Sequence, residues 1–372
     1  MKKNKYFFCF VLLIFMYSCS SKKDTINLLV GRYTDSGEKG MSLLEFDQKD
    51  GSLNLISESE AGSNPSYFCI SKNQSLIYVA NEVMDFNGGK GGCITTLSLD
   101  ENKGAMQKIN QFAVPNGSPC FISLSPNEEY LLLANYTGGS IAVVKLGSDR
   151  IPEKITDAIS FEAEGESYSH PHMIAFDPSG KRVYLTDLGL DRIVIYTLDR
   201  ASGKLHAVQN GIIKLPKGSG PRHFVFDPSG TKMYVICELN STISSFDVDP
   251  DGLLDPDTVL STLSNDFNGQ SFCADIHISR DGKFLYGSNR GENNIATFKI
   301  DNNGMPSPIG HSPCGGDWPR NFVIDPSGKF ILVGNERSGS ISVASIDEKT
   351  GVPSLMENGF KVNKPTCLKF LD

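Results

Sequence analysis

Along this chain apolar and polar residues alternate in short runs, and many runs end at a tight-turn signal. The clearest is GPRHFVFDPSG, Gly220 to Gly230, in which an alternating strand leads into Asp-Pro-Ser-Gly. Alternation with a period of two marks a strand with one buried face, and Asp, Pro and Gly occupy the positions that a type I turn favours. The same pattern recurs as SPCFISLSPNE from Ser118, HPHMIAFDPSG from His170 and WPRNFVIDPSG from Trp318. Weaker copies are NPSYFCISKNQ from Asn64, FCADIHISRDG from Phe272 and KPTCLKFLD from Lys364. Pro65, Pro119, Pro171, Pro221, Cys273, Pro319 and Pro365 stand at equivalent places, 46 to 54 residues apart.

Each copy continues with a second apolar strand such as Lys232 to Cys237, a polar turn, and a third strand such as Thr242 to Val248. Segments such as Gly211 to Leu215 supply a fourth, outer strand. Four strands in a unit of about 50 residues make a propeller blade. The pattern therefore predicts an all-β, seven-bladed β-propeller. The last copy stops after one strand, and Ile26 to Tyr33 reads as a second strand without a first. The N- and C-terminal strands are thus expected to share one blade and close the ring, which removes open sheet edges. No linker interrupts residues 26–372, so they form one domain. The Asp177, Asp227 and Asp325 carboxylates read as turn residues.

Repeats let equivalent positions be compared within one chain. The residue after the motif proline is Ser66, Cys120, His172, Arg222, Ala274, Arg320 or Thr366, and the residue closing the second strand is Glu82, Tyr136, Leu188, Glu238, Arg290, Glu336 or Tyr33. In an antiparallel hairpin the start of one strand and the end of the next share an end. Both columns therefore converge on one mouth of the channel, opposite the Asp-Pro-Ser-Gly turns. His170, His223, Asp275, Asn321, Asn81, Asn289 and Asn335 flank them, with His277 further down its strand. These positions vary between blades while the turns and apolar positions do not, which points to a pocket of convergent polar groups.

The formal net charge is −8 and the basic residues form no long runs, which excludes a nucleic-acid footprint. The N-terminus is different in kind. Lys2, Lys3 and Lys5 precede an apolar stretch from Tyr6 to Met16 that is too short for a spanning helix, and Met-Tyr-Ser-Cys then reads as a lipobox. Residues 1–19 are expected to be a signal peptide ending at Cys19, the lipidation site, and residues 20–25 a tether. The protein would then face the periplasm from a lipid anchor in the cell envelope, its only membrane contact. Seven further cysteines, without C-x-x-C spacing and mostly inside apolar strands, read as buried thiols. The run from Gly88 to Gly92 lacks the spacing of a phosphate loop and reads as a blade connection.

These residues resemble the lactonase family typified by bacterial 6-phosphogluconolactonase, with the fungal carboxymuconate-lactonizing enzymes among its relatives. The resemblance rests on HPHMIAFDPSGKRVYLTDLG, GPRHFVFDPSGTKMYVICELNSTISSFDV, ADIHISRDGKFLYGSNRG and PRNFVIDPSGKFILVGNE, and above all on Arg222 and Glu238 sixteen residues apart. It implies lactone hydrolysis at the channel mouth, with His172, Arg222, Glu238 and Arg290 at the positions implicated in the lactonizing relatives. Ring opening needs an activated water and stabilisation of the developing oxyanion. Glu238 or His172 would be the base, Arg222 and Arg290 the anion donors, and His223, Asp275, Arg320 and Asn321 further substrate contacts. No cofactor is expected. A calcium-dependent lactonase using Glu82, Glu238 and Glu336 is the metal alternative, disfavoured by the arginines among them. A lactonizing enzyme acting on a carboxylate, or a non-catalytic binding propeller, is the functional alternative. The partner is a small anionic or sugar lactone.

Overall fold

The computed structural model describes residues 24–35, 37–100 and 103–371. The readings of a signal peptide, of lipidation at Cys19 and of most of the tether fall outside them. Within them the chain forms seven four-stranded antiparallel sheets arranged as propeller blades, plus a two-stranded hairpin. We number the blades from the first complete one, with inner strands Pro65–Ile70, Pro119–Leu124, Pro171–Phe176, Pro221–Phe226, Phe272–Ile278 and Pro319–Ile324. The seventh blade takes its inner strand, Pro365–Phe370, from the C-terminus and its other three from the N-terminus. Thr25–Arg32 pairs with Pro365–Phe370 and so closes the ring, as the truncated last repeat predicts.

Proline can open these inner strands because its missing N–H is not required at a strand's first residue. Asp177 accepts hydrogen bonds from the Lys181 and Arg182 amides, and Asp325 from those of Lys329 and Phe330, so the turn carboxylates are spent on backbone. Hydrophobic clusters lie between adjacent blades, and all seven described cysteines are buried and unpaired. Five buried tyrosines add a lock that the alternation does not reveal. Tyr78, Tyr130, Tyr184, Tyr234 and Tyr286 each donate a hydroxyl bond to a carbonyl of the next blade's outer turn, at 2.7–2.9 Å. The run from Gly88 to Gly92 includes one arm of the small hairpin, Gly89–Lys90 against Asp85–Phe86.

One irregularity positions the site. In blade two Pro119 pairs with Asn135 and Phe121 with Ala134, so Cys120 is an extra residue, a β-bulge. The same shift leaves Ser66, His172, Arg222 and Arg320 unpaired, and in the seventh blade Thr366. In blade five it spans Ala274 and Asp275. A bulge bends the strand and re-aims the extra side chain. The variable column is therefore a ring of bulge residues, which explains why it can change freely without disturbing the ladder.

Candidate active site

Two arginine clusters occupy the mouth. In the first, Glu238 Oε2 lies 2.7 Å from Arg290 Nη2 and 3.0 Å from Arg222 Nε. The Arg222 contact is an ion pair without hydrogen-bond alignment, leaving that Nε unsatisfied. Arg222 also donates from Nη1 to the Ala274 carbonyl, and Arg290 from Nη2 to the Cys273 carbonyl at 2.8 Å. Thr186 of blade three donates to the Arg222 carbonyl at 2.6 Å, so this arginine is held from both neighbouring blades. The Arg290 guanidinium sits 5.3 Å from the centre of the Trp318 ring. Both arginines are nearly enclosed, whereas the Glu238 side chain keeps 17% of its surface.

Charge in this cluster is unbalanced, because two guanidiniums share one carboxylate. Burial would raise the Glu238 carboxyl, but Arg290 and then Arg222 outweigh it and hold the group below its ordinary value. Burial, with Arg222 and Arg320 against the pull of Glu238, brings the Arg290 guanidinium down to about 10. The site resists any further positive charge and favours an anion.

The second cluster has the opposite balance. Arg320 Nη2 donates to the Tyr33 hydroxyl at 2.6 Å, and that hydroxyl donates to Glu82 Oε2 at 2.7 Å. Glu82 and Glu336 flank the same guanidinium at 3.9 and 3.7 Å. Burial alone would lower Arg320, but Tyr33, Glu82 and Glu336 raise it above the ordinary arginine value.

Two histidines complete the interior. His172 is buried, its ring edge-on to Tyr136 at 5.7 Å and to His223 at 5.0 Å between centroids. Its Nδ1 is enclosed without a partner. Burial first, then Arg222, His223, Arg320 and Arg290, hold it well below the ordinary imidazole value, so it is neutral at pH 7. His223 pairs through Nδ1 with Asp275 Oδ1 at 2.7 Å. Burial and Arg222 lower His223 to about 4 despite Asp275. For Asp275, burial acts upward, but His277 and the hydrogen bond from His223 dominate and hold it well below the carboxylate range. Asp275 is therefore an acceptor only, and His223 must donate from Nδ1.

His172, Arg222, Glu238 and Arg290 thus gather at the mouth as the repeat columns imply, and Arg320 lies beside them in the second cluster. His223, Asp275 and Asn321 are placed differently. Asn321 donates to Asp275 Oδ2, and all three residues are buried together at the level below the bulges. Asn81, Asn289 and Asn335 are fully buried, donating to loop carbonyls such as those of Ala61, Thr262 and Cys314. His170 stacks on Tyr136 at 4.6 Å and donates to its carbonyl. Sequence comparison paired Tyr33 with this rim but gave no sign of its bridging role. Among the described residues no group of three His, Cys, Asp or Glu side chains could hold a metal ion, and each glutamate of the calcium alternative faces an arginine.

Comparison with known proteins agrees with this architecture. The family described as Lactonase, 7-bladed beta-propeller matches residues 27–370. The 6-phosphogluconolactonase of Formosa agariphila is 33% identical over 358 residues, spanning 92% of this chain and 98% of the relative. That of Bacillus subtilis is 29% identical over 348 residues, spanning 92% and 97%. The solved periplasmic gluconolactonase of Pseudomonas aeruginosa superimposes with a TM-score of 0.88 at 29% identity, covering 94% of this chain and 99% of that one. The chain belongs to the lactonase family of seven-bladed β-propellers.

Proposed function

We propose that the protein hydrolyses the lactone of a sugar acid at the mouth formed by His172, Arg222, Glu238 and Arg290. The observation that carries this reading is the uncompensated guanidinium charge around Glu238. A lactone carbonyl becomes an oxyanion when water attacks it, and fixed donors in a dry site stabilise that charge where it forms. Arg222 and Arg290 are such donors, held by the Ala274 and Cys273 carbonyls before any substrate arrives. Glu238 aligns both forks, and with its carboxyl held low it is a weak base.

Glu238 is tied to both guanidiniums, so the base is assigned on geometry to His172, and the positive charge it gains is offset by the oxyanion forming beside it. His172 is neutral, and neither ring nitrogen is spent on a protein partner among the described residues. In this mechanism His172 takes a proton from water as the water oxygen bonds to the carbonyl carbon. The bond from that carbon to the ring oxygen then breaks, and the proton passes from His172 to the departing oxygen, giving a free hydroxyl and a carboxylic acid whose remaining proton is released to water to leave the carboxylate. The product carboxylate keeps the contacts made to the oxyanion.

Turnover of gluconolactone and 6-phosphogluconolactone by wild type, His172→Gln and Glu238→Gln tests the reading. We expect hydrolysis by wild type and a loss of roughly 10²-fold or more in kcat for His172→Gln. Preference between the two lactones reports whether a phosphate belongs to the substrate. Full activity in a protein with alanine at both Arg222 and Glu238 would place the chemistry elsewhere. The leader reading adds that substrate is met outside the inner membrane, and the name of the Pseudomonas relative calls that protein periplasmic. Cys19→Ser should then release the protein from membranes, and unchanged membrane association would refute the anchor.

A further inference from the structure

The central channel does not run through the molecule. Two residues beyond each motif proline, side chains meet across the ring and plug it. Tyr67 of blade one stacks on Phe121 at 4.2 Å between centroids, and His223 of blade four lies edge-on to both at 5.9 and 5.5 Å. Asp275 and Asn321 complete the plug through their bonds to His223 and to each other. On the turn side of this plug lies a separate cavity of about 730 Å³, lined by inner strands of blades five, six and seven.

Its wall is largely apolar, with Val323, Leu368 and Phe370 on it, and it carries two cations, Lys369 and Arg280. The Lys369 ammonium lies 4.8 Å over the Tyr67 ring, and among the described residues it makes no ion pair. Arg280, exposed at the edge, donates among the described residues only to the Pro326 carbonyl, at 3.4 Å. Both nearby carboxylates are already engaged. Asp325 accepts from the Gln48 side chain, the Ser327 hydroxyl and three backbone amides, and Asp275 from His223, His277 and Asn321. In a protein with a net charge of −8, two cations that share an apolar chamber without a counter-ion among the described residues mark it as a place for an anion.

We infer that this turn-side chamber is a second binding site, for a small organic anion with an apolar body, held by Lys369 and Arg280 against Val323, Leu368 and Phe370. The apolar wall separates it from the mouth, where the surroundings of Arg222 and Arg290 are polar. An aliphatic carboxylate suits the chamber better than a sugar acid, because its apolar body covers Val323, Leu368 and Phe370 while a polyhydroxyl chain gains little from them.

Calorimetric titration of the purified protein with octanoate, n-octanol, gluconate and inorganic phosphate tests this. Octanoate is expected to bind at least about tenfold more tightly than the other three, since a charged hydrogen bond and apolar burial each contribute on that scale. Lys369→Met should weaken octanoate about tenfold, and Val323→Glu, which adds a negative charge to the wall, at least as much. Lactone hydrolysis by Lys369→Met should stay within about twofold of wild type, since the plug separates the two sites. The inference is overturned if octanoate fails to saturate below about 10 mM, or if neither variant changes its binding. Loss of octanoate binding in Arg222→Met but not in Lys369→Met would place the anion at the mouth. Tighter Lys369-dependent binding of gluconate than of octanoate would refute the apolar body. The binding readouts do not depend on lactone turnover, so failure here and failure of the proposed activity are separable.

Discussion

The two arginine clusters at the mouth use the same residue types and end with opposite character. Around Glu238, two guanidiniums compete for one carboxylate oxygen, and Arg290 falls to about 10. Around Arg320, two carboxylates and a tyrosine hydroxyl compete for one guanidinium, which rises above its ordinary value. An arginine's usefulness to an anion is set by the carboxylates it already serves. The first cluster has guanidinium charge to offer, whereas the second has spent its own.

The largest effect that follows separates the two clusters directly. Arg222→Met should lower kcat/KM by roughly 10²- to 10³-fold, the usual loss when one donor to a developing oxyanion is removed. Arg320→Met should cost less than about tenfold, since that guanidinium serves Glu82 and Glu336 rather than the substrate. Steady-state kinetics on the same lactone decide it, and equal losses would break the distinction.

A smaller effect comes from converting the second cluster toward the first. Glu82→Gln leaves Arg320 facing Glu336 alone and removes one negative charge from the mouth. Inhibition by the product carboxylate should tighten by about two- to fivefold at low salt, and the gain should fade in 0.5 M salt as screening shortens the reach of the charge. Unchanged inhibition at low salt would mean that the clusters do not share one field.

Much of this comparison was legible in the chain, and its limits have a physical origin. The repeat gave the blades, the shared closing blade and the turn role of Asp177 and Asp325, because alternation and turn chemistry are local. It also brought Arg222 and Glu238 together, because the hairpin dictates that meeting. The bulge at Arg222 was not readable, since an extra residue leaves no mark in an alternating pattern already broken at the proline. For the same reason His223, Asp275 and Asn321 read as part of the rim, although the shifted register puts them in the plug below it. Nor could the sequence say how Tyr33 distributes charge between Arg320 and Glu82, because that depends on contacts between Tyr33, just past the strand Thr25–Arg32, and residues 49 and 287 positions away.

The pH dependence offers a finer measure of the same imbalance. His172 works as a base only when neutral, so activity should be lost as pH falls through its pKa. Because burial and then Arg222, His223, Arg320 and Arg290 depress that pKa, the acid limb of kcat/KM should lie below the ordinary 6.5. Removing a nearby positive charge makes protonation easier and must move the limb upward. Arg222→Met should raise it by a few tenths of a pH unit or more, and Arg320→Met by less, since Arg320 acts on His172 behind Arg222. A downward shift in either variant would contradict the assignment of His172 as the titrating base.

Tyr33→Phe is the mildest probe. It removes the hydroxyl that accepts from Arg320 and donates to Glu82, at a cost of about 1 kcal/mol in stability, read from the urea midpoint at constant slope. Arg320 remains between Glu82 and Glu336 after that loss, so lactone turnover should stay within about twofold of wild type. A fall in kcat comparable to that of Arg222→Met would show that Tyr33 reaches the substrate, and the second cluster would then belong to the reacting site rather than beside it.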